Sequence, residues 1–207
     1  MHKQRMDQLA DGIFAIVMTL LVLDLRVPEL FGFVSDSALW YELQKLVPVF
    51  LSYVLSFLVL ATYWVAHNFI VTSFAHNMTR GLAYLNILFL MTVALIPFSS
   101  HLLGQYYFTQ AAIIIYSANI VLIGLMLVVI MRYIIHSPSV ENAEFSRADV
   151  RMGHIRALVP VIAAVIAVGA SYWSPVVPLY VLGIAFVFNL IPGTLRLVLR
   201  GVTRIAE

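Results

Sequence analysis

Six long apolar segments constrain the fold of this chain more than any other feature. A helix that crosses the hydrocarbon core of a bilayer needs about 20 mostly apolar residues. Only 11% of the 207 residues are charged, whereas a soluble domain carries about 25%. The sequence therefore predicts an all-α membrane protein with one domain over residues 1–207, whose six transmembrane helices cover about residues 8–27, 46–66, 82–103, 111–132, 157–173 and 176–195.

The first apolar segment differs from a cleaved leader peptide. Asp7 and Asp11 stand where a leader peptide is basic, and Pro28 and Glu29 follow where small residues would mark a cleavage site. We expect this segment to be a helix of the mature protein.

The basic residues predict how the chain is oriented. With the N-terminus in the cytoplasm, Arg26 and Lys45 fall outside and the other ten of the twelve Lys and Arg residues fall inside. Cytoplasmic loops carry such an excess, and an even number of helices then places both termini in the cytoplasm. Because the basic residues flank helices and form no single patch, the net charge of +2 predicts no nucleic-acid partner.

The polar connections divide the chain between these segments. Residues 27–44 form the longest outer connection, and residues 67–81 form a short inner one. The mixed charges of residues 137–156 predict a solvated or interfacial helix in the main cytoplasmic loop. Since proline is unfavourable inside a helix, we expect Pro97 to kink or end the third helix and Ser174-Pro175 to separate the last two.

The first segment carries a narrow apolar stripe. Ile16, Thr19, Leu20 and Leu23 are spaced i, i+3, i+4 and i+7 and so share one face of a helix. Such a face more often meets lipid or another helix than it lines a pore, so the pattern alone leaves both alternatives open. Asp24 at the outer end suits an acidic mouth that concentrates cations, or an ordinary interfacial carboxylate.

A second group of polar residues belongs at the cytoplasmic end. Asp11 points away from the apolar stripe, and a carboxylate in hydrocarbon should face protein or water. Trp64, His67 and Asn68 lie at i, i+3 and i+4 at the same predicted depth and offer donors and acceptors. One interpretation is a network that holds the first helix, with Arg5 joined through another helix. The alternative is a solvated carboxylate near an interfacial aromatic residue.

Common catalytic and metal-binding motifs are absent from the sequence. The six histidines show no HExxH or His-x3-His pair. The sequence has no cysteine, no GxSxG, no P-loop and no GxGxxG. The TVGYG filter of the commonest potassium channels is also missing. We expect neither an enzyme nor a metal or cofactor site.

Two other functions remain as alternatives. A secondary transporter would need polar residues within the membrane, and the candidates are Asp11, Asn86, Asn119 and Asn189. A lipid hydrolase would rely on His101 with Ser99 and Ser100, but the sequence places no orienting acid with that histidine.

The opening helix resembles a family motif. Arg5-x3-Leu9-Ala10-Asp11, followed by an apolar run, is similar to the Arg-x3-Phe-Ser-Asp motif of the endosomal/lysosomal-type potassium channels, the transmembrane protein 175 family, in their short prokaryotic form. Leu9 and Ala10 depart from the Phe and Ser of that motif, which removes a hydroxyl from its network. Three further features carry the resemblance: the W-x-x-H of Trp64 and His67, Asn86, and LIPFSS at 95–100.

The resemblance implies a homotetramer in a bacterial plasma membrane, with four copies of the first helix around a pore. Rings of Ile16, Leu20 and Leu23 would then filter potassium ions, and Thr19 would add a hydroxyl layer. An apolar ring gates by dewetting. The partners implied are other copies of the chain, membrane lipid and permeant potassium, with no cofactor.

Overall fold

The computed structural model describes residues 3–30, 35–75, 77–137, 140 and 147–190. Within these residues the chain is helical and has no β-sheet, so the predicted all-α fold is confirmed. The helices are α1 (Lys3–Leu20), α2 (Asp36–Lys45), α3 (Val47–Phe74), α4 (Arg80–Val93), α5 (Ile96–Gln105), α6 (Gln110–Ile135), α7 (Arg147–Ala170) and α8 (Val177–Leu190). A 3₁₀ turn over Leu21–Asp24 extends α1.

The helices correspond to the six predicted apolar segments. Five stretches of the described residues are long and apolar enough to cross a membrane: Lys3–Asp24, Val47–Phe74, Arg80–Gln105, Gln110–Ile135 and Gly153–Ala170. In the sixth, the apolar helix Val177–Val187 is shorter, and residues 191–195 of the prediction lie outside the described residues. The chain therefore has the helices of an integral membrane protein.

The second apolar helix is longer than predicted. It continues to Phe74, so His67 and Asn68 lie inside α3 and the prediction that they belong to a connection was wrong. The polar side chains suggested an end to the helix, but His67 is buried and bonded to Asn86 on α4. A partner on another helix compensates for burial of a polar group.

Proline and capping residues set several helix boundaries. Pro97 lies in the first turn of α5, after a break that follows Val93, as predicted. The break between α7 and α8 at residues 171–176 also confirms the prediction from Ser174-Pro175. The outer connection contains α2, which the sequence analysis missed, and Ser35 caps this helix by accepting from the backbone N–H of Ala38.

The loop predicted to be cytoplasmic is described only in part. Residues 141–146 lie outside the described residues, and α7 begins at Arg147. The second half of the predicted interfacial helix thus joins the fifth apolar segment in one continuous helix.

α3 lies at the centre of the bundle and contacts α1, α5, α6, α7 and α8. Two buried tyrosines connect it to α6: the hydroxyl of Tyr63 donates to the carbonyl of Ile120 at 2.6 Å, and Ser56 and Tyr116 lie 3.0 Å apart. These bonds satisfy polar groups inside an apolar core, as burial requires. The bundle holds α3 in place, and α1 packs against α3.

Candidate functional site on the first helix

The two faces of α1 differ in what covers them. Met6, Ala10, Phe14, Val17 and Leu21 are buried and form part of the hydrophobic core. On the opposite side, the predicted stripe is uncovered: Ile16 is 59% exposed, Leu20 43% and Leu23 64%. Single exposed apolar residues are ordinary in a membrane helix. A continuous stripe on the helix with the fewest buried residues among the described spans is a surface for another helix, lipid or a pore.

The 3₁₀ turn changes the alignment of the stripe. In an α-helix, Leu20 and Leu23 would be offset by about 60°. A 3₁₀ turn is tighter than an α-helix, so the turn over Leu21–Asp24 brings Leu23 closer to alignment with Leu20 than a continued α-helix would. The two apolar side chains therefore form successive layers along one side of the helix.

Thr19 contributes the polar group of the stripe. Its hydroxyl donates to the carbonyl of Ile16 at 2.8 Å, which leaves lone pairs on the hydroxyl oxygen as acceptors.

Asp11 lies next to Trp64. The indole Nε1 of Trp64 donates to Oδ1 of Asp11 at 2.8 Å, so the structure brings together two of the predicted network residues. Charge-assisted hydrogen bonds are stronger than neutral ones. This bond fixes the N-terminal half of α1 against α3.

His67 bonds to α4 instead of α1. Its Nε2 lies 2.7 Å from Oδ1 of Asn86, and its ring stacks on Phe89 with centroids 4.9 Å apart. Phe14 of α1 packs against both rings. His67 therefore supports α1 through an aromatic cluster, and Asn86 is a partner that the network prediction did not include.

The other predicted network residues are placed differently. Asn68 accepts from Thr72 at 2.8 Å and lines a cavity of about 50 Å³ with Asp11 and His67. Arg5 is exposed and forms no ion pair with the described residues. Lys3, which the sequence analysis did not single out, donates to the carbonyl of Ala75 at 2.7 Å and ties the start of α1 to the end of α3.

Asp24 at the other end of α1 pairs with His101. The carboxylate Oδ1 lies 2.9 Å from Nδ1 of His101 on α5. The expectation that no acid accompanies His101 was therefore wrong. The neighbouring serine hydroxyls bond elsewhere: Ser99 donates to the backbone carbonyl of Ile96, and Ser100 donates to the backbone carbonyl of Ser52. The geometry thus gives His101 an acid but no serine nucleophile.

The asparagines proposed for a transporter have mixed surroundings. Asn86 bonds to His67, and Asn119 lies 3.1 Å from the hydroxyl of Ser99. The Nδ2 of Asn189 is buried without a partner among the described residues. Two of the three are therefore satisfied within the bundle and are not open to a substrate.

Comparison with known proteins finds a family that the first part of the chain resembles. Residues 5–97 match the family described as "Endosomal/lysosomal potassium channel TMEM175". This stretch holds α1, α3, α4 and the predicted stripe and network. The first half of the chain is similar to the TMEM175 channels. The resemblance inferred from the first helix is thus confirmed.

Two bacterial relatives carry similar names. A protein of Streptomyces collinus named a potassium channel is 40% identical over 102 residues, which is 49% of this chain and 48% of that protein. The chain thus matches about half the length of that relative. A protein of a Chryseobacterium species, also named a potassium channel, is 25% identical over 84% of this chain and 85% of its own length.

A solved structure shares the fold of this chain. The crystal structure of a lysosomal potassium-selective channel TMEM175 homolog from Chamaesiphon minutus matches 90% of this chain and 95% of its own chain. The TM-score is 0.76 at 24% sequence identity. The shared fold therefore extends beyond α4 to most of the bundle.

Proposed function

We propose that this chain forms a homotetrameric, potassium-permeable channel whose pore is lined by four copies of α1. The observation that carries the proposal is the uncovered stripe of Ile16, Leu20 and Leu23 on a helix whose opposite face is anchored in the core. No second kind of subunit is needed to form such a pore, because a closed ring of identical subunits brings the same face of each subunit to one axis. The potassium-channel names of the bacterial relatives favour this function.

The side chains of the stripe define how such a pore works. Rings of branched apolar residues exclude water when the passage is narrow, and a modest widening admits water and ions. Thr19 places oxygen atoms beside the Ile16 ring, and Asp24 places carboxylates at the outer mouth. Ion selectivity then depends on the width of the apolar rings and on the threonine layer. The permeant ion is the cargo, and no cofactor takes part.

Flux from liposomes tests the proposal. Purified protein is reconstituted and release is measured under a potassium gradient and then a sodium gradient, for wild type, Ile16→Ala and Ile115→Ala. Ile115 is an exposed residue of α6, so the control makes the same truncation away from α1. We expect potassium flux to exceed sodium flux and to rise only in Ile16→Ala. Unchanged flux in folded Ile16→Ala would reject the pore assignment. Saturable, proton-coupled uptake would indicate a secondary transporter instead.

The assembly and the orientation have separate tests. Native mass spectrometry of the purified protein should give a mass of four chains. The chain has no cysteine, so single introduced cysteines report topology. With both termini in the cytoplasm of a bacterial plasma membrane, Asn77→Cys should resist an impermeant thiol reagent applied to whole cells and Ser37→Cys should react. The opposite pattern would reverse the orientation.

A further inference from the structure

A groove between α6 and α7 is lined by no residue of α1. It encloses about 360 Å³ and is lined almost entirely by apolar side chains. We define the α6–α7 groove by Ile114, Ser117, Val121, Leu125, Val165 and Val168.

The shape of the groove fits an extended chain. Its rim is exposed, with Leu125 at 45% and Val165 at 60%, whereas its floor at Ser117 and Ala164 is buried. From Ile114 to Leu125 it runs about 16 Å along α6, at 1.5 Å per residue. Both helices belong to candidate membrane spans, so the groove opens toward the acyl chains of the bilayer.

Ser117 supplies a polar group that nothing in the described structure satisfies. Its Oγ is buried and has no hydrogen-bond partner. Other hydroxyls in the bundle donate to a carbonyl of their own helix, as Ser52, Thr92 and Ser99 do. A buried hydroxyl without a partner costs free energy, so an acceptor that reaches the floor of the groove would stabilise it.

The depth of Ser117 along α6 indicates which acceptor group of a ligand would meet its hydroxyl. α6 has 26 residues and is about 39 Å long at 1.5 Å per residue, so it exceeds the hydrocarbon thickness of about 30 Å. Ser117 lies seven residues from the start of α6, or about 10 Å along its axis. This position is within about one helical turn of the hydrocarbon boundary, beyond which the ester carbonyls of glycerolipids lie.

We propose that the α6–α7 groove binds one acyl chain of an ester-linked membrane lipid, with Ser117 donating to the ester carbonyl. The apolar lining holds the chain, and the hydroxyl sets its depth. This inference depends on the membrane placement of the bundle and not on channel activity.

Lipid retention measured by native mass spectrometry tests the groove. The full-length protein is purified with dioleoylphosphatidylglycerol, and the lipids retained per subunit are counted for wild type, Val121→Trp and Val129→Trp. Val121 lines the groove, and Val129 is an exposed residue of the same helix. We expect Val121→Trp to retain one lipid fewer per subunit, and Val129→Trp to match wild type. Leu125→Trp, which fills the groove from its rim, replaces Val121→Trp if that variant fails to fold.

The proposed hydrogen bond from Ser117 is tested by comparing an ester-linked lipid with its ether analogue. Ser117→Ala should weaken binding of the ester lipid about three- to tenfold, the effect of one hydrogen bond, and should leave the dialkyl ether analogue unaffected. Equal losses for both lipids would overturn the assigned bond. Equal lipid counts in Val121→Trp and Val129→Trp would overturn the site. A change of oligomeric state in Val121→Trp alone would also overturn it, since the groove would then be a subunit interface.

Discussion

Trp64 of α3 donates its indole hydrogen to the Asp11 carboxylate of α1 at 2.8 Å. The two residues are 53 positions apart in sequence, and the bond joins the N-terminal half of the proposed pore helix to the centre of the bundle. Since Asp11 lies away from the stripe of Ile16, Leu20 and Leu23, the bond can hold the stripe in place without entering the pore.

Removal of this donor should destabilise the protein. We expect Trp64→Phe to lower the free energy of unfolding by about 1–2 kcal/mol, because the carboxylate of Asp11 loses its partner. Thermal unfolding in one detergent measures the effect. Trp40→Phe on the exposed helix α2 is the matched control and should change stability little. Equal shifts in the two variants would show that the Asp11 bond contributes nothing of its own.

The buried pair of His67 and Asn86 should behave as a unit. Asn86→Leu leaves an imidazole nitrogen buried without its partner, which costs about 1–3 kcal/mol. His67→Phe preserves a ring against Phe89, so the double variant should be more stable than the sum of the two single effects predicts. A double-mutant cycle on chemical unfolding measures this coupling. Strict additivity would contradict it.

Close packing at Gly124 should make α6 intolerant of a methyl group. A Cβ at this position would overlap the side chain of Val161 and lie 3.1 Å from the carbonyl oxygen of Ala157. We expect Gly124→Ala to destabilise the protein by about 1–3 kcal/mol through overpacking. Gly169 on α7 has nothing within 4 Å of such a Cβ, so Gly169→Ala should be neutral or stabilising. A stable Gly124→Ala protein would show that α6 and α7 can separate at little cost.

The outer carboxylate should act on flux through its charge. If Asp24 concentrates cations at the mouth, Asp24→Asn lowers potassium flux at low ionic strength and has a smaller effect in high salt, where charges are screened over a few ångström. Flux from liposomes at 10 mM and 500 mM salt measures this dependence. Glu29→Gln removes an exposed acid five positions away and is the control. A loss that does not vary with salt would assign Asp24 a structural role with His101.

The hydropathy of the sequence predicted the helices of the bundle because a helix that spans a bilayer needs a long apolar segment. Such a segment is a local property of the sequence. The end of α3 was missed at His67 because the partner that makes its burial possible, Asn86, belongs to another helix. Helix α2 was missed since its polar composition resembles a connection, although Ser35 is a capping residue that could have indicated its start.

The candidate site was predictable to different degrees. The spacing of Ile16, Leu20 and Leu23 gave a common face, and the structure leaves that face uncovered; whether it lines a pore stays a prediction. Periodicity could not reveal the 3₁₀ turn over Leu21–Asp24, because the end of a helix depends on its surroundings. It also could not show that Asp24 pairs with His101, 77 positions away.

Because one face of α1 is buried and the other is uncovered, substitutions on the two faces should have different effects. Substitutions at Phe14 or Val17 act inside one subunit and should reduce the amount of folded protein. Substitutions at Ile16 or Leu23 leave the subunit intact and should alter what the assembled protein conducts. A library across this helix, sorted once by expression and once by potassium-dependent growth, would therefore yield two sets of sensitive positions that interleave along the same 20 residues with the period of a helix.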